Sequence, residues 1–221
     1  MRRLLVLRPE PGASATMSRA RELGLEPTCA PLFEVEALPW QAPNPSGFDG
    51  LLLTSANAVR HGGGELQKLR GLEVYAVGAA TADAARERGF GIAATGDAGV
   101  ERLLDSIAPN LKLLHLCGEE RRQPDGPRQQ ITPIAVYRSR ALDAPDLSKV
   151  AGSIAMVHSP RAGRRFAELV AERGSIAIAA ISAAAAEAAG EGWEGVAIAE
   201  APNDDALLAL AASLCNKPQP K

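Results

Sequence analysis

Aromatic side chains are scarce in this chain, at 4% of its 221 residues. Binders of single-stranded nucleic acid stack bases on such rings, so the scarcity argues against that class. A surplus of one charge sign is missing as well. The 24 Lys and Arg stand against 26 Asp and Glu, a net charge of −2, which leaves no basic footprint for nucleic acid. Long hydrophobic runs are also lacking. Residues 4–7 are aliphatic, but Arg8-Pro9-Glu10-Pro11-Gly12 ends that run far short of a signal peptide or membrane span. The expectation is a cytoplasmic protein without membrane contact. Cysteine is sparse: Cys29, Cys117 and Cys215 are an odd, widely spaced set in aliphatic surroundings. That excludes a disulfide framework and predicts buried, reduced thiols. His61, His115 and His158 stand alone, so no Cys/His spacing offers a metal site.

What is present is aliphatic. Apolar residues make up 46%, enough for two domains of about 100 residues with alanine-rich cores. Short aliphatic runs alternate with helical stretches, the pattern of βα units around parallel sheets. Strands are predicted over 4–7, 51–53, 74–77 and 111–116, with helices over 13–23, 79–88 and 100–107. The second half restarts: strands over 154–157, 176–181 and 196–199 alternate with helices from Pro160 to Arg173, over 183–189 and over 204–214. Ser55, Ser159, Ser182 and Asn203 stand where helix N-caps belong. The tail from 216 to 221 is expected to fray.

Shifted by 104 residues, the chain aligns with itself without a gap from Pro31 to Asn110. Ser55 falls on Ser159, Arg60 on Arg164, Gly91 on Gly195, and Leu103-Leu104 on Leu207-Leu208. Strand falls on strand and cap on cap, which means a duplicated domain and not a solenoid. The first strand matches at a shift of 109, with Leu7-Arg8-Pro9 over Leu116-Cys117-Gly118. The second copy is therefore shorter after Gly118. Pro124-Asp125-Gly126-Pro127 forbids a long helix there, so 119–130 is read as a loop. Arg121 and Arg122, within it, are expected to be solvated.

Segments 32–38 and 136–142 occupy equivalent places outside the cores. Both alternate large apolar with charged residues, as exposed strands do. Glutamates on one and arginines on the other favour pairing, with Arg138 and Arg140 facing Glu34 or Glu36. Two antiparallel linker strands would form a hinge, with function in the cleft between the two copies.

The ordered set Val6-Leu7-Arg8-Pro9, DGLLLTSAN (49–57), VYAVGAATA (74–82), Val136-Tyr137-Arg138, VHSPR (157–161) and Asn203-Asp204-Asp205-Ala206-Leu207 resembles the uroporphyrinogen-III synthase family. The resemblance covers nearly the whole chain. It implies two similar doubly wound parallel-sheet α/β domains joined by a two-stranded β-ladder hinge. One domain would combine 1–32 with 143–221, the linker strands would be 33–39 and 133–142, and 40–132 would form the inserted middle domain. It further implies a cyclising hydro-lyase of tetrapyrrole, porphyrin and heme biosynthesis. Such an enzyme closes hydroxymethylbilane to uroporphyrinogen III, inverting the terminal pyrrole ring and losing water. No cofactor or metal is implied. A monomer that meets hydroxymethylbilane synthase transiently is the expected state.

The substrate is a flexible polyanion that loses hydroxide readily, so its enzyme must control geometry. Ligands of α/β sheets lie beyond the strand carboxyl ends, where helix N-termini present N–H groups. Thr54, Ser55, Asn57, Gly78, Thr81, Ser159 and Arg161 occupy such junctions. All are candidates for holding substrate carboxylates, and the serines are also ordinary caps. Tyr137 matches the family's linker tyrosine, implied to protonate the departing hydroxyl; it is equally a ladder aromatic opposite Phe33. Arg8 either reaches a carboxylate or pairs with Glu10. His158 either binds a carboxylate or is structural. Where the family carries Gly-Pro and threonines, this chain has Ser182 followed by four alanines, so only Ser182 offers a hydroxyl there. The middle domain, which keeps Gly78 and Thr81, is expected to hold most carboxylates.

The alternative is a non-catalytic tetrapyrrole- or anion-binding protein of the same fold. A receiver-like module and a dinucleotide enzyme are disfavoured, since no acidic cluster, Walker loop or GxGxxG follows any strand.

Overall fold

A computed structural model of the chain describes residues 2–97, 99–121 and 123–216. The elements begin with β1 (Leu4–Val6), α1 (Gly12–Glu22), β2 (Pro27–Cys29) and β3 (Phe33–Ala37). Then follow β4 (Gly50–Leu53), α2 (Ala56–His61), β5 (Val74–Val77), α3 (Ala79–Glu87), β6 (Ile92–Gly96), α4 (Val100–Ser106), β7 (Lys112–Gly118) and β8 (Gln130–Ala141). The chain ends with β9 (Ile154–Val157), α5 (Pro160–Leu169), β10 (Ala177–Ala180), α6 (Ala183–Ala189), β11 (Gly195–Ile198) and α7 (Asp204–Cys215).

Two compact units result: a terminal unit of Met1–Glu34 with Ala141–Lys221, and a middle unit of Val35–Arg140. The terminal unit's sheet has the order β11-β10-β9-β1-β2, and every pairing in it is parallel. Its inner strands β10, β9 and β1 are buried on both sides, as near-continuous Leu4-Leu5-Val6 and Ile154-Ala155-Met156-Val157 require. One face packs Leu5, Ala155, Val157 and Ile178 against α5 and α6 with Phe166; the other packs Leu4, Val6, Ile154 and Met156 against α1 and α7. Helices on both faces make this unit doubly wound.

The middle unit repeats the plan. Its order β3-β8-β7-β4-β5-β6 matches the terminal sheet strand for strand, with β6, β5, β4, β7 and β8 in the places of β11, β10, β9, β1 and β2. The pairings β7–β8, β7–β4, β4–β5 and β5–β6 are parallel. Leu51, Leu53, Val74, Ala76, Leu114 and Leu116 form one face under α2 and α3. Leu52 and Leu113 meet Leu103 and Leu104 of α4 on the other. The duplication legible in the sequence is thus a duplicated sheet.

β3 adds to the edge beside β8. Leu38 N–H donates to Val136 O at 3.0 Å, and Leu142 N–H to Leu32 O at 2.9 Å, so the two strands run antiparallel. Glu36 and Arg138 form the expected ion pair. This register puts Tyr137 beside Ala37 and not opposite Phe33, which corrects the aromatic pairing expected from the repeat.

Other differences have local causes. α5 stops at Leu169 and not at Arg173, because Val170 turns extended and buries its side chain. Arg173 then closes the helix end, its Nε donating to Val170 O at 2.9 Å while its guanidinium lies 5.0 Å over the Trp193 ring. β8 begins at Gln130, six residues before the alternating segment, because its residues 130–137 lie against β7. β2 and β6 escape a sequence reading, being short edge strands of small residues. Residues 119–129 form the predicted loop without helix or strand among the described residues. Cys117 and Cys215 are buried free thiols and Cys29 is half-buried. The readings for Arg122 and the tail past 216 fall outside the described residues.

Candidate active site

In the middle unit the carboxyl ends of β4, β5, β7 and β8 share one edge of the sheet. Thr54 and Ser55 follow β4 there. Ser55 caps α2, its Oγ accepting from Asn57 N–H at 3.2 Å. An oxygen engaged as acceptor leaves its own O–H proton for an outside acceptor. Asn57 contributes its amide to that cap and is itself half-buried. Gly78 follows β5 with φ 85° and ψ 145°, a conformation that needs glycine. No side chain caps α3 among the described residues; Thr81 N–H turns back to Gly78 O at 3.1 Å, and the Ala79 and Ala80 amides ahead of it point out of the helix toward an anion's position. Thr81, in that first turn, is buried.

Tyr137 stands at the same edge. It pairs in register with Gly118, the last residue of β7. A Cβ at Gly118 would come within 3.0 Å of the Tyr137 ring and 3.2 Å of its hydroxyl, so the phenol lies directly on the glycine backbone. His61, at the end of α2, flanks the ring with centroids 6.2 Å apart and planes tilted by 36°. The ring also packs on the cluster that holds Leu116 and Val136. Thus the half-buried phenol is fixed while its hydroxyl sits at a strand end rich in donors.

His115 completes this group. It is 2% exposed in β7, and its Nε2 lies 3.1 Å from Thr54 Oγ1. Burial, aided by the nearby Arg121 charge, pushes its pKa down to about 4, so the ring is neutral near pH 7.

The terminal unit answers with a different arrangement at the equivalent edge. Ser159 caps α5, accepting from Ala162 N–H at 3.1 Å, and Ser182 caps α6, accepting from Ala185 N–H at 3.3 Å. Where the middle unit leaves α3 uncapped behind Gly78, α6 is therefore satisfied by its own chain. Arg161 lies 4.4 Å over the Phe33 ring.

Arg8 and His158 both turn to Asp204, the first residue of α7. Arg8 NH1 is 3.2 Å and His158 Nε2 2.7 Å from Asp204 Oδ1. Thr16 donates to Oδ2 at 2.9 Å, and Arg19 bridges Asp204 and Asp205. Burial, then the Arg8 charge, lowers the His158 pKa to about 4, although its imidazole touches a carboxylate. Arg8 and Arg19 already balance Asp204, so a third positive charge gains little. The neutral ring is left to donate one hydrogen bond. The Arg8–Glu10 pair is not formed; Glu10 instead accepts from Ser14 N–H at 3.1 Å, in the first turn of α1.

The structure therefore gathers Thr54, Ser55, Asn57, Gly78, Thr81 and Tyr137 in one unit, and Arg8, His158, Ser159, Arg161 and Ser182 in the other. Sequence reasoning missed Gly118, His61, His115 and Asp204. Gly118 was legible as a glycine closing a strand; the others needed the fold. Among the described residues no group of three or more His, Cys, Asp or Glu could hold a metal ion, and no helix is long and apolar enough to cross a membrane.

Two doubly wound α/β units, each with helix N-termini along the carboxyl ends of its strands, define the class of fold. The family model described as uroporphyrinogen-III synthase HemD matches residues 14–209. The chain belongs to the uroporphyrinogen-III synthase family. Its fold resembles the crystal structure of uroporphyrinogen-III synthetase from Helicobacter pylori 26695, with a TM-score of 0.67 and 20% identity over 97% of this chain and 100% of that one. A mutant uroporphyrinogen III synthase from the extremely thermophilic bacterium Thermus thermophilus gives a TM-score of 0.51 at 18% identity, again over 97% and 100%. At these identities the likeness is one of fold. No curated protein matches the chain.

Proposed function

We propose that this chain catalyses the reaction for which its family is named. It is a cyclising lyase of tetrapyrrole biosynthesis that closes linear hydroxymethylbilane to uroporphyrinogen III, with inversion of the terminal ring and loss of water. The observation that carries this reading is the family match over residues 14–209.

The substrate's carboxylates meet donors at the strand ends: Thr54, Ser55, Asn57, Gly78 and Thr81 in the middle unit, and Arg8, Ser159, Arg161 and Ser182 in the terminal one; His158, whose one proton goes to Asp204, is structural. The open amides of α3 favour the middle unit as the tighter holder. Tyr137 donates its phenolic proton to the departing hydroxyl, a step suited to a weak acid fixed by packing. Gly118 supports this role by letting the phenol reach the strand end. The resulting azafulvene is attacked at a substituted ring carbon. The spiro intermediate then fragments, recombines and closes. Positioning governs the outcome, because water loss alone leads to the uninverted isomer.

Hydroxymethylbilane closes spontaneously, so it must reach its enzyme soon after release. That need supports a transient meeting with hydroxymethylbilane synthase in the same compartment, the cytoplasm in this reading. A non-catalytic binder of this fold is not favoured, since Tyr137 and the glycine that admits its ring are both present. Supplying freshly generated hydroxymethylbilane should give the type III isomer. A folded protein that yields only type I would overturn the synthase reading.

A further inference from the structure

We propose that His115 is a positioning residue that holds the Thr54 hydroxyl as a hydrogen-bond donor toward a substrate carboxylate. This rests on the synthase reading and names a part of that site. At a shift of 109 residues His115 takes the place of Val6, which is fully buried among apolar residues beneath α1 and α7. A polar ring at a strand position that its sister copy fills with valine needs a reason, since an unsatisfied buried polar group is costly. Its partner is Thr54 Oγ1, 3.1 Å from Nε2.

The direction of that bond decides what Thr54 can do. The terminal unit covers the Val6 face with α1 and α7; in the middle unit α4 takes the place of α7, and the described residues of 119–129 form no helix in the place of α1. Beneath the loop lies a cavity of about 210 Å³ lined by His115, Arg121, Gln123, Ile131 and prolines. Arg121 lines the same cavity, and its charge lies close enough to act on the His115 ring. Burial and that charge disfavour the imidazolium, and Nε2 is the ring nitrogen that faces Thr54. The single proton of the neutral ring then sits on Nε2 and is donated to Thr54 Oγ1. Thr54 keeps its own proton for an outside acceptor. In the opposite tautomer Thr54 spends that proton on the ring and presents only lone pairs, which repel a carboxylate.

Two measurements test this. Long-range ¹H–¹⁵N correlation on histidine-labelled free protein should find His115 neutral with its proton on Nε2 at pH 7; a proton on Nδ1 overturns the proposal without bearing on catalysis. In type III kinetics, His115→Leu should raise KM roughly tenfold with kcat little changed, since carboxylates persist through the reaction and their contacts act on binding alone. His115→Gln, whose amide N–H can stand in for Nε2–H, should recover most of that loss. His115→Leu added to Thr54→Val should cost no more than Thr54→Val alone. Additive losses, or failure of the glutamine to rescue, contradict the proposal while leaving a type III-producing wild type intact. Should His115→Leu not fold, the tautomer and the glutamine variant still decide it.

Discussion

At the scale of single residues, Tyr137 and Gly118 can be tested against each other. Tyr137→Phe keeps the ring and removes only the proton, so type III turnover should fall at least about tenfold with unchanged thermal stability. Gly118→Ala should give a similar loss by a different route, because its Cβ would meet the phenol ring at 3.0 Å. Equal activity in either variant, measured by single-turnover kinetics, contradicts the role given to this pair. Gly78→Ala places a side chain at φ 85° and should cost about 1–3 kcal/mol in urea unfolding. The two buried histidines add a pH dependence. His115 and His158 fold with pKa values near 4, below the ordinary value of about 6.5. Between those limits the unfolded chain binds the protons and the folded one does not. Stability present above pH 6.5 is therefore lost as pH falls toward 4, by up to about 1.4 kcal/mol per pH unit for each ring. Urea midpoints at pH 7 and pH 5 should show that fall, and His115→Gln should reduce it. A midpoint unchanged at pH 5 contradicts the buried neutral state.

Among elements, α6 explains the alanine run that departs from the family pattern. A Cβ on Gly163 of α5 would lie 2.8 Å from Ala185 O and 2.9 Å from Ala189 N, so the two helices meet backbone to backbone. Ala185 and Ala189 are fully buried at that contact, where nothing larger fits. Gly163→Leu should destabilise by about 3 kcal/mol or more, read as a lower urea midpoint; near-wild-type stability would mean the helices can part without cost. The run was visible in the sequence as a lost set of hydroxyls, and only the packing shows what replaced them. Helix starts were legible because Ser55, Ser159, Ser182 and Asn203 carry the cap chemistry in their own side chains. The end of α5 was not, since it depends on Arg173 reaching carbonyls and a tryptophan distant in the chain.

For the molecule as a whole, duplication was the most legible property. A 104-residue shift preserved the phase of the strands it aligned, and the two sheets share one strand order. Buried strands write near-continuous aliphatic runs, so β1, β4, β7, β9 and β10 announced themselves. The site was legible where it is built of local junctions, as at Ser55, Gly78 and Ser159. It was hidden where partners are far apart in sequence: Asp204 gathers Arg8, Arg19 and His158 from three other segments, and His115 finds Thr54 across neighbouring strands. The copies have since diverged at equivalent edges, one leaving α3 uncapped behind a glycine and the other closing α6 with serine. The central claim is that this divergent pair directs ring closure, with Tyr137 at work. Its most direct measurement is a quenched reaction on enzymatically generated hydroxymethylbilane, comparing wild type with Tyr137→Phe by isomer analysis. The wild type should form type III ahead of spontaneous closure, while the variant should let type I accumulate. Type I alone from the folded wild type would contradict the account.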